Sequence, residues 1–167
     1  MGMSTKGILA YGYYIGDGAP PVTGLSDEED WRPADFAADR DSDEYYDFDF
    51  RDWAERKLLA AAGHPVEEGD YFDPEDTKKH WGVWFEAEGW GENRHYMLVA
   101  FEEHTYDHPD DLDLAALEAR RVEEKWDDKL DAVLKILGIE GLTYPQDAYK
   151  DVKREQSARW MLTSYYG

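Results

Sequence analysis

The sequence predicts an α+β fold, a two-layer sandwich in which two main helices cover a four-stranded, mainly antiparallel sheet. Three observations support this prediction. Short segments rich in aromatic and β-branched residues alternate apolar and polar positions, as strands do. Two other segments repeat apolar residues every three or four positions, as helices do. Their order is strand, helix, hairpin, helix, strand, which is the βαββαβ order of a ferredoxin-like sheet.

The strands are predicted from four stretches. KGILAYGYYIG (6–16) ends at a Gly-Asp-Gly turn signal, and Gly12 within it indicates a bulge or a close backbone approach. HWGVWFEAEG and RHYMLVAFEEHTY lie on either side of Gly-Trp-Gly-Glu-Asn (89–93) and predict a β-hairpin. RWMLTSYYG (159–167) alternates and predicts the last strand.

The helices are predicted from apolar spacing and from their end signals. YDFDFRDWAERKLLAAAGH (46–64) has helical spacing, with acids in its first turn and Gly63 after its last. From about Asp113 to Leu137 a second helix is predicted, with Gly138 as its stop. Asp73-Pro74 is a helix start that we expect to introduce only a short turn.

Length and composition predict one domain over residues 1–167, with an acidic surface loop at about 17–44. The chain contains no cysteine, which excludes disulfide scaffolds, cysteine nucleophiles and zinc sites that use cysteine. It also has no apolar run near the ~20 residues of a membrane span and no secretory leader pattern, so we expect a cytoplasmic protein.

Acidity is the dominant feature of the composition. The net charge is −21, from 39 acidic and 18 basic residues. Residues 27–49 hold eleven acids against Arg32 and Arg40. Such a chain repels phosphate backbones and anionic membranes, which are bound chiefly through Lys and Arg. Direct binding to nucleic acid or membrane is therefore disfavoured, and the acidity itself is either a partner surface or a solubility adaptation to the host.

Several quoted segments together resemble a family of uncharacterised proteins from actinobacteria and their phages. They are YGYYIGDG (11–18), LLAAAGH (58–64), DYFDPEDTKKHWGV (70–83), KWDDKLDAVLKILGI (125–139) and RWMLTSYYG (159–167). The chain departs from the family pattern at Tyr166, where Trp is usual, and in lacking a cysteine before the second hairpin strand. The family has no assigned activity, so the resemblance implies a phage-related origin and carries over no catalytic residue.

The stretch DRDSDEYYDFDF (39–50) partly matches the ligand spacing of a calcium-binding loop. Asp39, Asp41, Asp43 and Asp47 match four ligand positions, but Glu44 replaces the glycine that the sharp turn needs. Phe50 stands where the bidentate glutamate is required. The sequence therefore predicts no metal site here.

The remaining chemical motifs are sparse. His104 and His108 have suggestive spacing, and Glu102, Glu103 and Asp107 could add oxygen ligands, but such a cluster is more often a solvated turn than a metal site. There is no phosphate-binding glycine loop and no nucleophilic serine motif. No catalytic residue and no cofactor is predicted.

The aromatic residues of the predicted strands could form one face of the sheet, and RNA-recognition modules stack bases on such a face. Tyr11, Tyr13, Trp84 and Tyr96 are its candidate members. Those modules surround the stack with Lys and Arg, which this chain lacks, so we expect these aromatics in the core or under a cover.

We therefore expect a non-enzymatic interaction protein that binds a basic protein partner, with inhibition by nucleic-acid (DNA) mimicry as its specific form. Two alternatives stay open: a small metal-dependent or hydrolytic enzyme that uses the His104/His108 region, and a homodimeric structural or accessory module. The predicted partner-binding residues are the loop acids Asp27, Glu28, Glu29, Asp30, Asp35, Asp39, Asp41, Asp43 and Glu44.

Overall fold

Four strands and four helices make up the described part of the chain. The computed structural model describes residues 5–17, 49–67, 70–88, 95–106, 112–139 and 157–166. The strands are β1 (Thr5–Asp17), β2 (Trp84–Glu88), β3 (His95–Tyr106) and β4 (Arg159–Tyr166). The helices are α1 (Phe50–Ala61), α2 (Pro74–Trp81), α3 (Leu114–Glu123) and α4 (Trp126–Leu137).

The strands form one antiparallel sheet in the order β2-β3-β1-β4. This confirms the α+β class, the four predicted strands and the antiparallel pairing of the hairpin strands, β2 and β3. The turn that joins them, 89–94, lies outside the described residues, as do residues 18–44 of the predicted acidic loop.

The number of helices differs from the prediction, and so does the element order. The Asp73 side chain caps α2 by accepting from the Glu75 amide at 3.0 Å, but the helix continues for eight residues, to Gly82 at φ 66°. The predicted short turn was wrong. Among the described residues each of the two crossovers contains two helices, which gives the order βααββααβ, so the simple ferredoxin-like βαββαβ order is not confirmed.

The single helix predicted from Asp113 to Leu137 is in fact two helices. Lys125 adopts the left-handed conformation, with φ 55° and ψ 50°, between α3 and α4. In an unbroken helix Trp126, nine positions after Leu117, would lie about 180° away from it. The break turns Trp126 inward, so that it is buried in the same core against which Leu117 packs.

The core lies between the helices and one face of the sheet, here called the helix face. Its sheet residues include Tyr11, Tyr13, Tyr96 and Leu98, and its helix residues include Phe50, Leu58, Trp126 and Leu130. A smaller cluster of Ile8, Ala10, Met97 and Val99, packed with Trp84, marks the opposite face, here called the second face.

These positions correct the proposed aromatic face. Tyr11, Tyr13 and Tyr96 are buried on the helix face, whereas Trp84 packs on the second face. The four residues share no open surface, and the base-stacking alternative loses its geometric basis.

A β-bulge interrupts the pairing of β1 with β3. Tyr11 pairs with Phe101 and Gly12 pairs with Val99, so Ala100 is an extra residue on β3. A Cβ on Gly12 would lie 1.9 Å from the Leu98 carbonyl oxygen. The bulge and close approach predicted at Gly12 are both confirmed.

Candidate functional site

All nine predicted partner-binding acids lie within 18–48, outside the described residues, and the structure does not test them. His108 and Asp107 also lie outside the described part. His104 lies on β3, within the described part of the chain.

His104 lies beside Glu102 on the second face. The His104 Nε2 atom is 3.6 Å from Glu102 Oε1. Residues two apart on a strand share a face, and Glu103 between them is exposed, at a position that faces the other way. Of the oxygen ligands proposed from sequence, Glu102 is therefore brought to His104 and Glu103 is not.

The bulge at Ala100 decides which of these carboxylates faces the site. Met97 and Val99 lie on the second face, so regular alternation would place residues 101 and 103 there too. The extra residue inverts the alternation and puts Phe101 in the helix-face core. Glu102 and His104 consequently share the second face.

Sequence reasoning missed a third member of the group, Glu86 on β2. Its carboxyl group is hydrogen-bonded to that of Glu102, and the Trp84 indole Nε1 donates to Glu86 Oε1 at 2.8 Å. The available signal was the hairpin, whose register puts Trp84 opposite Val99 and Glu86 opposite Met97. Only knowledge of the bulge would have added Glu102 to that face.

The surroundings of Glu102 favour its protonated form. Burial is the main cause that raises the pKa of Glu102 above its usual value, and the neighbouring Glu86 carboxylate raises it further. His104 and Lys78 act in the opposite direction. The Glu102 Oε2 atom is buried and has no hydrogen-bond partner among the described residues.

A cation borders this group from the α2 side. The Lys78 Nζ atom lies 3.9 Å from the centroid of the Trp84 ring, within the range of a cation–π contact. The site thus combines two carboxyl groups, an imidazole and an ammonium group. In the part of the chain that the structure describes, no three His, Asp or Glu residues are arranged to hold a metal ion.

A second polar network anchors the helices to the helix face. The Tyr11 hydroxyl donates to Asp127 Oδ1 at 2.6 Å and accepts from Arg121 at 3.1 Å. Burial and the Asp127 carboxylate raise the pKa of Tyr11 to about 12. Tyr13 donates to Asp131 at 2.8 Å in the same manner. These contacts give the hydroxyl groups of both core tyrosines a hydrogen-bond partner, so we interpret them as structural.

Most ion pairs on the helices are local. In six of them a basic residue pairs with an acid three or four positions away, so much of the basic charge of the helices is neutralised nearby. These pairs are Arg51–Glu55, Arg56–Asp52, Lys78–Glu75, Lys79–Asp76, Arg120–Glu124 and Arg121–Glu118. Arg121 also pairs with Asp127 at the start of α4.

Comparison with protein-family models, with curated proteins and with solved structures gives no match to this chain. The resemblance to the actinobacterial and phage family therefore stays a prediction. No described helix has the length and apolar character that crossing a membrane demands.

Proposed function

We propose that this protein is a non-enzymatic acidic interaction protein that binds a positively charged protein partner. The observation that carries the proposal is the distribution of charge: a net charge of −21, with eleven acids against two arginines in residues 27–49. A surface of this kind attracts basic groups over a distance and orients them during encounter.

Local pairing of the helix cations strengthens the proposal. Because arginine and lysine side chains of α1, α2 and α3 bind acids of their own helices, part of the basic charge of the chain is neutralised locally. Mimicry of a nucleic acid is the specific form we favour, with the loop acids in the place of phosphates. A phage-type inhibitor, a cytoplasmic location and a two-layer sandwich belong to the same proposal.

The test is a titration with a fluorescent peptide rich in Lys and Arg, followed by anisotropy. Binding should weaken steadily as NaCl rises from about 0.05 to about 0.5 M, because screening reduces the attraction. Neutralising the loop in a variant with Asp39→Asn, Asp41→Asn, Asp43→Asn and Glu44→Gln should weaken binding about tenfold or more at low salt.

A matched control removes four charges elsewhere. Glu67→Gln, Asp70→Asn, Glu123→Gln and Asp128→Asn alter exposed side chains and should weaken binding much less than the loop variant. Equal weakening of peptide binding by both variants would show that binding depends on net charge alone, and it would contradict a specific loop surface. For mimicry, the protein should displace duplex DNA from a basic DNA-binding protein, and failure to compete at low salt would contradict it.

A hydrolytic enzyme is the second candidate, and the Glu86–Glu102 pair favours it. In such a pair the ionised carboxylate takes a proton from water as the water attacks, and the protonated carboxyl gives its proton to the leaving group. His104 lies close enough to Glu102 to assist this proton movement. The metal-dependent form of this candidate depends on His108 and is less well supported.

This candidate is tested with chromogenic esters and glycosides, which release p-nitrophenol when water cleaves them. Activity should fall at least about a hundredfold in Glu102→Gln and persist in Glu103→Gln, whose side chain faces the other way. No turnover by the purified protein, or equal activity in both variants, would exclude Glu102 as the proton-transfer group.

A further inference from the structure

The edge strand β4 is unlike the rest of this acidic chain. Among the described residues it pairs with β1 alone, and it forms one edge of the sheet over eight residues. Its sequence, RWMLTSYY, contains no acid, and Arg159 is its one charged residue. Natural edge strands are commonly protected from pairing by lysine, proline or short length. β4 has no lysine or proline and is longer than a typical strand.

An exposed leucine lies in the middle of this edge. Trp160 packs against the helix-face core, so Leu162, two residues later, points to the same side of the sheet. It pairs with Leu9 of β1 and is 81% exposed. The described helices therefore leave the helix face of β4 exposed at Leu162.

Helix α3 leads to the same edge. Arg120 lies over the Phe101 ring of β3, Arg121 donates to the Tyr11 hydroxyl of β1, and Glu118 accepts from Trp160 of β4. Of these three residues Glu118 is the nearest to the N-terminus of the helix, and it is the one that contacts the edge strand. That end carries Leu112 and Leu114, which are 37% and 56% exposed.

α3 covers the sheet only in part. None of its residues is buried; Leu117 packs against the core, and Glu118 and Arg121 contact the sheet beside it, while Leu114 and Val122 are largely exposed. Leu162 and the outer edge of β4 are here called the edge patch.

We infer that the edge patch binds a second copy of this chain, with β4 pairing antiparallel to β4 of that copy across a two-fold axis. Antiparallel pairing of one strand with itself is symmetric, as an isologous dimer interface requires. It would join two four-stranded sheets into one and bring the exposed leucines of both copies together on the helix-facing side.

Charge favours a second copy over a basic partner at this surface. A basic partner gains no ion pair from β4, because the strand has no acid. Two chains of charge −21 repel each other over most of their surface, and an acid-free strand is where they can approach at the lowest electrostatic cost. This interface is separate from the loop acids of the proposed function, and the two bindings respond to salt in opposite directions.

Sedimentation equilibrium of the full chain over a range of concentrations and salt is the first test. We expect a monomer–dimer equilibrium that shifts toward dimer as NaCl rises from about 0.05 to about 0.5 M, because screening weakens the repulsion between like-charged copies. A monomer at every concentration and salt, or a dimer that dissociates with salt, would overturn the inference.

Substitutions at the edge locate the interface. Leu162→Asp should weaken dimerisation at least about tenfold, since it places two like charges near the two-fold axis. The control is Tyr71→Asp, which adds the same charge at a 90% exposed site just before α2, the helix that packs on β2 at the opposite edge. Equal weakening in both variants would overturn the edge assignment.

Cross-linking keeps the test valid if an aspartate variant folds poorly. The chain has no cysteine, so Leu162→Cys introduces a single thiol near the middle of β4, next to its own symmetry mate. Under mild oxidation it should form a disulfide-linked dimer, while Tyr71→Cys should stay monomeric in denaturing electrophoresis. The absence of a Leu162→Cys cross-link, or equal cross-linking at Tyr71, would count against β4 pairing.

Discussion

At the scale of single residues, burial and ion pairing have opposite effects on Glu55. Glu55 of α1 is 1% exposed, and it accepts a hydrogen bond from Arg51 Nε at 2.9 Å. Burial nevertheless dominates and raises the pKa of Glu55 above its usual value. A buried carboxylate at neutral pH therefore costs stability, because its desolvation exceeds what one half-exposed arginine returns.

The pH dependence of Glu55→Gln tests this balance. With the folded pKa above the unfolded one, the folded state holds more protons in the window between them, so the contribution of Glu55 is greatest below the unfolded pKa and declines as pH rises. The stability of the variant relative to the native chain should therefore increase from pH 4 to pH 7. Urea unfolding at both values measures it.

Glu123→Gln on the exposed side of α3 is the matched control, and it should change the free energy of unfolding by less than about 0.5 kcal/mol at either pH. A Glu55→Gln variant that becomes relatively less stable as pH rises would show that the Arg51 pair outweighs burial.

Residue patterns predicted part of the core and part of the site. The two predicted helical stretches contain Phe50, Leu58, Trp126 and Leu130, which lie in the core, because a 3.6-residue repeat of apolar residues needs no tertiary information. Glu86 could not be linked to Glu102, because that contact depends on strand register and a bulge rather than on local spacing.

At the scale of elements, the bulge between β1 and β3 controls both packing and the candidate site. The close approach of Gly12 to Leu98 allows Ala100 to be accommodated, and the inverted alternation then directs Glu102 and His104 to the second face. Glycine is thus required at position 12 because a side chain would not fit there, and not because the backbone adopts an unusual φ.

Gly12→Ala should lower the free energy of unfolding by about 3 kcal/mol or more, because its Cβ would meet backbone atoms at 1.9 to 2.9 Å that cannot move aside independently. Gly138→Ala is the matched control: its φ is 70°, with open space around the added Cβ. It should cost only about 1 kcal/mol. Chemical denaturation of both variants measures the difference, and equal costs would contradict a steric role for Gly12.

Helix boundaries show where sequence patterns stop being informative. The start of α2 was predicted from Asp73-Pro74, since capping is local chemistry. The break at Lys125 was not, because Glu and Lys favour helix and nothing nearby signals a stop. The core requirement that both Leu117 and Trp126 face inward overrides that preference.

At the scale of the whole molecule, two electrostatic effects compete. A partly buried pair such as Arg51–Glu55, whose atoms are 2.9 Å apart and whose glutamate is buried, is screened less by salt than charges exposed to solvent. Repulsion among the surplus acids acts over longer distances and is screened strongly. We therefore expect the repulsive part to change more with ionic strength.

The thermal midpoint should accordingly rise with salt. Between about 0.02 and about 0.3 M NaCl we expect a gain of about 1–2 kcal/mol, or about 3–6 °C for a chain of this size. Calorimetry at two protein concentrations separates this gain from dimer formation, which depends on concentration. KCl should act as NaCl does, because screening depends on ionic strength, and the four-site loop variant should gain less because it has less charge to screen. A thermal midpoint that falls with salt would mean that attractive ion pairs dominate over repulsion. The surplus of acids would then explain neither the proposed partner binding nor the salt-promoted dimer.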